Sequence, residues 1–474
     1  MDRRDLVLLS VIIGTLMSAI DTTIVILALP TITGEFQSSL FDSIWTIIIY
    51  LLVVAVLTTQ FGSLGDLYGR ARIFNLGFLV FIIGSAGCAL SPDIYYLISL
   101  RALQAVGAAL MQANSSAIVA DYFDVKERGR AFGYTTFGWN VGGTLGIVLG
   151  GVITTFIGWR YIFFINVPIG AIGLLFGLLY IKDNERKPSS IDFGGMITLG
   201  MMLGLISYGA TDIAGRGVNI ENLVMIALGL LLIPLFVIVE GRARKPIIDV
   251  RAFREKALSS SLISAFLQAL GYLSVVFIII MYLQGIRRLS PLDASLLLVP
   301  GYVIASFIAP RMGRLSDKVG TRTMSSLGIM LMAAGVLIYF ALSASSSFYI
   351  VIAASLVSGV GGALFWPSNN SAVMSSAPRT MYGSISGLLR TLSSIGTLLS
   401  YVISISVAAV SVPRYVAFEV FLGTGIIDGK ITAGFMSGIH SALLVSFVLL
   451  IAAGIFSALK FSKLNEKGSG VPGK

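Results

Sequence analysis

Fourteen apolar stretches, each close to the roughly 20 residues that carry an α-helix across about 30 Å of hydrocarbon, follow one another along this chain with short polar loops between them. A backbone inside lipid must satisfy its own hydrogen bonds, so the one solution open to such a chain is a bundle of membrane-spanning helices, an all-α fold. The first seven stretches cover residues 5–30, 44–64, 73–91, 94–120, 131–157, 161–181 and 194–212. The other seven cover 222–240, 258–283, 294–312, 323–342, 347–374, 384–411 and 435–460. Composition excludes a soluble core, because 56% of the residues are hydrophobic and 12% are charged. The first stretch is too long for a signal-peptide core and no A-x-A cleavage pattern follows it, so it is expected to stay as a span.

Orientation follows from Lys and Arg, which cytoplasmic loops keep and translocated loops avoid. Arg3 and Arg4, Arg70 and Arg72, Lys126 to Arg130, and Lys182 to Lys187 mark alternate loops on one side. Arg242 to Lys256, Arg314 to Arg322, Arg379 and the tail from Lys460 continue the series. The opposite side carries only Arg160, Arg216, Arg287, Arg288, Arg414 and Lys430. Both termini are therefore expected in the cytoplasm of a multi-pass cell-membrane protein, which requires an even number of spans. These loops, lying beside anionic lipid, account for the net charge of +10, and no nucleic-acid partner is expected. With a single cysteine, Cys88, and a single histidine, His440, the chain has neither a disulfide framework nor the ligands for a Cys- or His-rich metal site. No metal or cofactor is expected.

A duplication organises the spans. Gly62-Ser-Leu-Gly-Asp66-Leu-Tyr-Gly69-Arg70-Ala-Arg72 returns about 250 residues later as Gly313-Arg-Leu-Ser-Asp317-Lys-Val-Gly320-Thr-Arg322, each time between two apolar stretches. If both are second-to-third-span loops, residues 1–182 and 257–474 each hold six spans, the latter with a cytoplasmic tail. Residues 183–256 then form an inserted helix pair with its linkers. Two similar bundles that move against each other are the architecture of secondary transporters, so transport leads from this point. The lack of clustered His, Cys or acidic residues within the spans argues against an enzyme, and the two-half plan argues against a channel.

The repeated loop matches the G-x-L-x-D-x-x-G-R-x-R signature of the major facilitator superfamily, and Leu100-Arg101-Ala-Leu-Gln104-Ala-Val-Gly107 looks like its fourth-span motif. Ala19-Ile-Asp21-Thr-Thr-Ile-Val-Ile-Leu-Ala-Leu-Pro30 is similar to the first-span signature of the fourteen-span drug:proton antiporters in that superfamily. Trp159 to Gly170, Tyr282-Leu-Gln284, and Ser290-Pro291 followed by Pro300 also resemble that family. The resemblance covers nearly the whole chain. It implies proton-driven efflux of small lipophilic or cationic compounds by alternating access, from a monomer in the bilayer with the proton gradient as energy source. One departure stands out: the family usually has Gly-Pro in the fifth span, where this chain has Gly146-Ile147.

A carboxylate in mid-span is costly, so Asp21 is expected to face a bundle interior or watery cavity and to carry function. Burial raises a carboxylate's proton affinity and a nearby cation lowers it, which is what proton coupling requires. Arg101 needs a partner too, with Gln104 three residues on and on the same helical face. Asp21 is its natural candidate, directly or through water. A fixed interhelical ion pair is the alternative reading of both.

Gly138, Gly142, Gly146 and Gly150 recur every fourth residue and form a stripe that another helix can approach closely. It reads either as a pliable seam between the two halves or as ordinary tight packing. In the repeated loop, Gly62 and Gly69 permit a turn, Asp66 can face a helix N-terminus, and Arg70 and Arg72 can pair across the cytoplasmic seam. Asp317 is the second copy's acid, and Thr321 stands where the first copy has Arg70, so an asymmetric gate is expected. Trp139, Asn140, Trp366, Asn369 and Arg390 are candidates for lining a substrate cavity. A second interior cation at Arg390 suits an anionic or zwitterionic substrate or a buried counter-ion, with snorkelling as the plain alternative. A transporter of a lipid or organic anion, with import or symport open to it, is therefore the second hypothesis.

Overall fold

The computed structural model describes residues 2–123, 128–183, 190–244, 246–248, 253–376, 382–410 and 429–459. The side chain of Asp317 and most of the loop at 413–432 lie outside the described residues. Fourteen helices are long and apolar enough to cross a membrane. In chain order they are α1 (Arg3–Phe36), α2 (Leu40–Tyr68), α3 (Arg70–Ala89), α4 (Ile94–Tyr122), α5 (Arg128–Phe156), α6 (Arg160–Tyr180) and α7 (Phe193–Arg216). There follow α8 (Ile220–Arg242), α9 (Lys256–Ile286), α10 (Pro291–Val319), α11 (Thr321–Phe340), α12 (Phe348–Ser376), α13 (Tyr382–Val410) and α14 (Gly429–Ala458).

Several helices outrun their apolar stretch because polar caps satisfy their first amides at the membrane edge. Asp2 and Asp5 form a capping box at α1, Ser39 caps α2, Asp93 caps α4, and Asn219 and Asn222 box α8. Ser290 caps α10 with Pro291 at the first helical position. Helix α9 is not continuous. It breaks at Leu273 and Ser274, where Ser274 Oγ meets Ser404 Oγ (2.6 Å) and Ser400 Oγ (2.8 Å) of α13, and it ends in a π-turn over Tyr282–Ile286. Those hydroxyls take up polar demand that the interrupted ladder leaves in a buried position.

Packing repeats as the sequence does. In the first half α1 packs on α5 and α6, α4 on α2 and α3, and α3 on α6. In the second half α9 packs on α13 and α14, α12 on α10 and α11, and α11 on α14, the same five pairings. Two further pairings join the halves, α5 with α10 and α2 with α13, and they exchange under the same equivalence. The fold is thus two six-helix bundles plus two inserted helices. The inserted pair is peripheral: α7 leans on α2 and α13, and α8 packs mainly on α7. Only 28% of the apolar window of α7 and 17% of that of α8 are buried, against 67% for α1.

Candidate functional site

Asp21, Arg101 and Gln104 meet in the interior of the first bundle, with 0%, 1% and 0% of their surfaces exposed. Arg101 Nη1 donates to Asp21 Oδ2 and to Gln104 Oε1, both at 2.6 Å. Gln104 Nε2 donates to Asp21 Oδ1 (2.8 Å) and to Ser85 Oγ of α3 (2.5 Å). Asn166 Nδ2 of α6 reaches Asp21 Oδ1 at 3.4 Å. From α2, the Thr46 carbonyl accepts from Arg101 Nε at 3.0 Å, and the Tyr50 ring lies 4.3 Å below the guanidinium carbon. Five helices therefore converge on one ion pair. The charge is neutralised on the spot and every polar neighbour is another helix, so the cluster sits in a closed bundle interior rather than at an open cavity.

Helix contacts locate the same positions in the second half. Gly142 faces Leu16 and Ala19 as Gly396 faces Phe266 and Ala269, which sets Gly271 opposite Asp21. Gly107 lies against Gly77 and Phe81 as Gly361 lies against Gly328 and Met332, which sets Ser355 and Ser358 opposite Arg101 and Gln104. The ion pair belongs to one copy of the duplication alone.

At the end of the bundles that carries the repeated loop, Gly69 and Gly320 adopt nearly the same backbone, φ 111° and ψ 125° against φ 104° and ψ 136°. Each closes one helix and opens the next: Gly69 N donates to the Gly65 carbonyl and Gly320 N to the Ser316 carbonyl, both at 2.9 Å. Such positive φ favours glycine. What surrounds the two turns differs. Arg70 donates to Asp66 Oδ1 (2.7 Å) and to both oxygens of Asp121 on α4 (2.8 and 2.9 Å). Asp183, just past α6, accepts from Ala71 N at 2.7 Å and pairs with Arg72 at 3.3 Å. A methyl on Gly69 would overlap the Asp183 carboxylate, whereas one on Gly320 would meet nothing within 4 Å. Asp66 and Asp121 lie in the first half and Asp183 in the linker that directly follows it, so the pairing seen for Arg70 and Arg72 is not with the opposite bundle. Gly62 stands 3.8 Å, measured from its ideal Cβ, from the Ala113 carbonyl of α4.

The contacts of the glycine stripe fit the second of its two readings, tight packing. Gly138, Gly142, Gly146 and Gly150 face Ile12, Leu16, Ile20 and Ile24 of α1 in the same bundle. Because α1 and α5 run parallel, the four-residue repeats stay in register over four turns, and this is close packing inside the bundle. The contact between halves falls to the residues one step round α5. Gly143 faces Tyr302 of α10, and Gly151 faces Ser295 and Pro291.

Hydrogen bonds also cross the seam among the described residues. Gln284 Nε2 donates to the Leu27 carbonyl (3.3 Å), Leu292 N to Thr155 Oγ1 (3.3 Å), and Thr144 Oγ1 lies 3.3 Å from Ser306 Oγ. Nearer the repeated loops Thr59 touches Thr391, and Arg390 Nη1 donates to Gln112 Oε1 at 3.4 Å. Of the cavity candidates, Trp139 is 39% exposed on α5, while Asn140 accepts from Thr144 through its carbonyl. Trp366 stacks edge-on to Phe365 at 5.4 Å, and Asn369 is fully buried in α12. His440 contacts the Leu342 carbonyl at 2.8 Å and the Phe340 ring at 4.8 Å, a structural role.

This architecture and these motifs match known proteins. The model of the Major Facilitator Superfamily matches residues 11–401. The chain belongs to that superfamily. It is a transporter and not an enzyme. The riboflavin transporter RibZ of Clostridioides difficile is 30% identical over 390 residues, 81% of this chain and 83% of that one. The tetracenomycin C resistance and export protein of Streptomyces glaucescens is 29% identical over 394 residues, 82% of this chain and 73% of that one. The multidrug resistance protein Stp of Mycobacterium tuberculosis is 28% identical over 408 residues, 85% and 76% of the two chains. Among solved structures, an inward-facing bacterial homologue of the lysosomal transporter Spinster matches with a TM-score of 0.67 at 19% identity over 97% of both chains. At that identity the likeness concerns the fold alone.

Within this superfamily member, several site residues were not singled out from sequence. Asn166 lies inside the quoted Trp159 to Gly170 motif, yet nothing in its spacing points to Asp21. Trp159 and Arg160 of that motif both bind Glu35 at the end of α1, the indole nitrogen at 2.6 Å, tying α1 to α6 at the end of the first bundle away from the repeated loop. Gln112, eleven residues beyond Arg101 on α4, is a polar residue in an apolar run and could have been flagged on that ground.

Proposed function

We propose that this protein is a proton-coupled secondary exporter of small lipophilic compounds, working by alternating access as a monomer in the cell membrane with both termini in the cytoplasm. In this reading residues 1–182 and 257–474 are the two moving bundles, and 183–256 is a joining helix pair. The observation that carries it is the fully buried contact between Asp21 and Arg101. With Asp21 ionised, pairing with Arg101 and Gln104 offsets its burial. A proton on Asp21 removes that attraction and leaves Arg101 with the Thr46 carbonyl, Gln104 and the Tyr50 ring, so protonation favours a different arrangement of α1, α2 and α4.

The same three helices reach the opposite bundle. On α4, Gln112 meets Arg390 about 16 Å from Arg101 at 1.5 Å per residue; on α2, Thr59 meets Thr391 about 20 Å from Thr46. On α1, Leu27 meets Gln284 about 9 Å from Asp21. A change at the ion pair is thereby linked to the seam whose opening alternates. Each inward proton contributes about 2.3 kcal/mol per 100 mV, and any pH gradient adds to it. The cytoplasmic Asp66, Arg70 and Asp121 network, with Gly62 and Gly69, serves as a reversible clamp within the first bundle, and Asp317 is the corresponding acid of the second bundle's loop.

The test is rhodamine 123 and fluorescein uptake into inside-out vesicles under an imposed proton gradient. Gradient-dependent uptake of either dye, lost when the gradient is collapsed by an ionophore, supports the proposal. Uptake indifferent to the gradient refutes proton coupling.

A further inference from the structure

We infer that the transported compounds carry an anionic group, a carboxylate, sulfonate or phosphoryl, and that Arg390 receives it between the two bundles. This rests on the transporter reading above and adds the sign of the substrate's charge. In the twelve core spans, Asp21 is the one acidic residue well away from a span end, and its charge is cancelled by Arg101. Arg390 is a second interior cation, and no carboxylate among the described residues lies within ion-pair distance of it. The core spans thus hold an unbalanced positive charge.

Its position suits a ligand. Arg390 is eight residues, about 12 Å, into α13 from Tyr382 and partly buried. Its guanidinium reaches Gln112 of the opposite bundle at 3.4 Å, a long contact with a neutral amide that leaves most of its donors for an oxyanion. Adjacent Thr391 touches Thr59, so this face of α13 is one that alternating access opens. Arg101 cannot serve the purpose, since Asp21, Gln104 and the Thr46 carbonyl already engage it. Among the described residues, a cationic compound would meet the Arg390 guanidinium and no carboxylate within ion-pair distance of it.

The experiment uses the purified full chain in proteoliposomes with an imposed proton gradient. Three probes are compared: fluorescein, rhodamine 123, which has the same xanthene core with opposite charge, and fluorescently labelled phosphatidylglycerol. The expected result is driven movement of fluorescein, falling about ten-fold or more in Arg390→Gln and partly kept in Arg390→Lys. Gln112→Ala should leave the fluorescein-to-rhodamine ratio unchanged, whereas a mere latch would make it behave like Arg390→Gln. Movement of the labelled lipid in place of fluorescein, with the same Arg390 dependence, supports the inference and makes the oxyanion a lipid headgroup. Driven rhodamine uptake with neither anion moved, or a charge preference unaltered in a correctly eluting Arg390→Gln, overturns it while leaving the transporter reading intact. Failure of all three probes to respond to the gradient refutes the proton-coupled reading and this inference with it.

Discussion

Adding one methyl at Gly142 should damage this protein far more than adding one at Gly143, although the two are neighbours on α5. An ideal Cβ at Gly142 would lie 2.6 Å from the Leu16 carbonyl and 2.8 Å from Ala19 Cβ, whereas at Gly143 the nearest atom, Tyr302 Cε1, is 3.9 Å away. Ordinary contact begins at 3.4 Å, so the Gly142 methyl requires α1 to retreat by 3.4 − 2.6 = 0.8 Å, and the obstructing carbonyl belongs to helix backbone. Overpacking of this kind costs about 1–3 kcal/mol. The same retreat would carry Asp21, five residues beyond Leu16, away from Arg101 and stretch their 2.6 Å hydrogen bond toward 3.4 Å. Gly142→Ala should therefore lose both thermal stability in detergent, read by fluorescence-detected gel filtration, and gradient-driven transport. Gly143→Ala should keep both. Equal stability and transport in the two variants would refute the placement of this stripe against α1.

Other consequences can be checked together. Gly69→Ala and Gly320→Ala share the strain of a positive φ, about 1–3 kcal/mol, but only the first overlaps Asp183, so its loss of stability in the same assay should be clearly the greater. Asp66→Ala should slow the transport cycle while leaving equilibrium binding of the transported dye unchanged, since its described partner Arg70 lies at the end of the bundle beside the repeated loop; unchanged turnover would reduce the repeated loop to a family marker. Glu35→Ala, which removes a partly exposed pair with Arg160 and strands the Trp159 indole N–H, should cost about 1–2 kcal/mol in thermal unfolding, more than an exposed ion pair alone.

Much of this molecule is legible in its sequence because lipid is a strict solvent. Apolar length gave the fourteen spans, and a mid-membrane charge demands a partner, which brought Asp21 and Arg101 together across 80 residues. The duplication was legible in its loop, and its asymmetry in Thr321. Less was readable where a pattern defines a face but not what covers it. The every-fourth glycines named a close-packed stripe, yet spacing on α5 cannot say whether α1 or the other bundle lies against it. Likewise Arg70 and Arg72 announced that they need acids, but Asp121 and Asp183 reach them through the folding of α4 and α6 back onto the α2 to α3 turn. Asn166 and the Thr46 carbonyl complete the charge cluster through tertiary contact alone. A backbone carbonyl leaves no trace in residue type.

The claim at the centre of this account is that Asp21 is the proton site and not a static strut. It is tested most directly by comparing the wild type with Asp21→Asn in the same proteoliposomes, measuring gradient-driven accumulation and gradient-free counterflow of the transported dye. The substitution keeps the shape and an oxygen that accepts from Gln104 Nε2 while removing the titratable group. The account predicts that counterflow survives and driven accumulation disappears. Full driven accumulation in Asp21→Asn would contradict it, and loss of both activities in a correctly folded variant would return Asp21 to a structural ion pair.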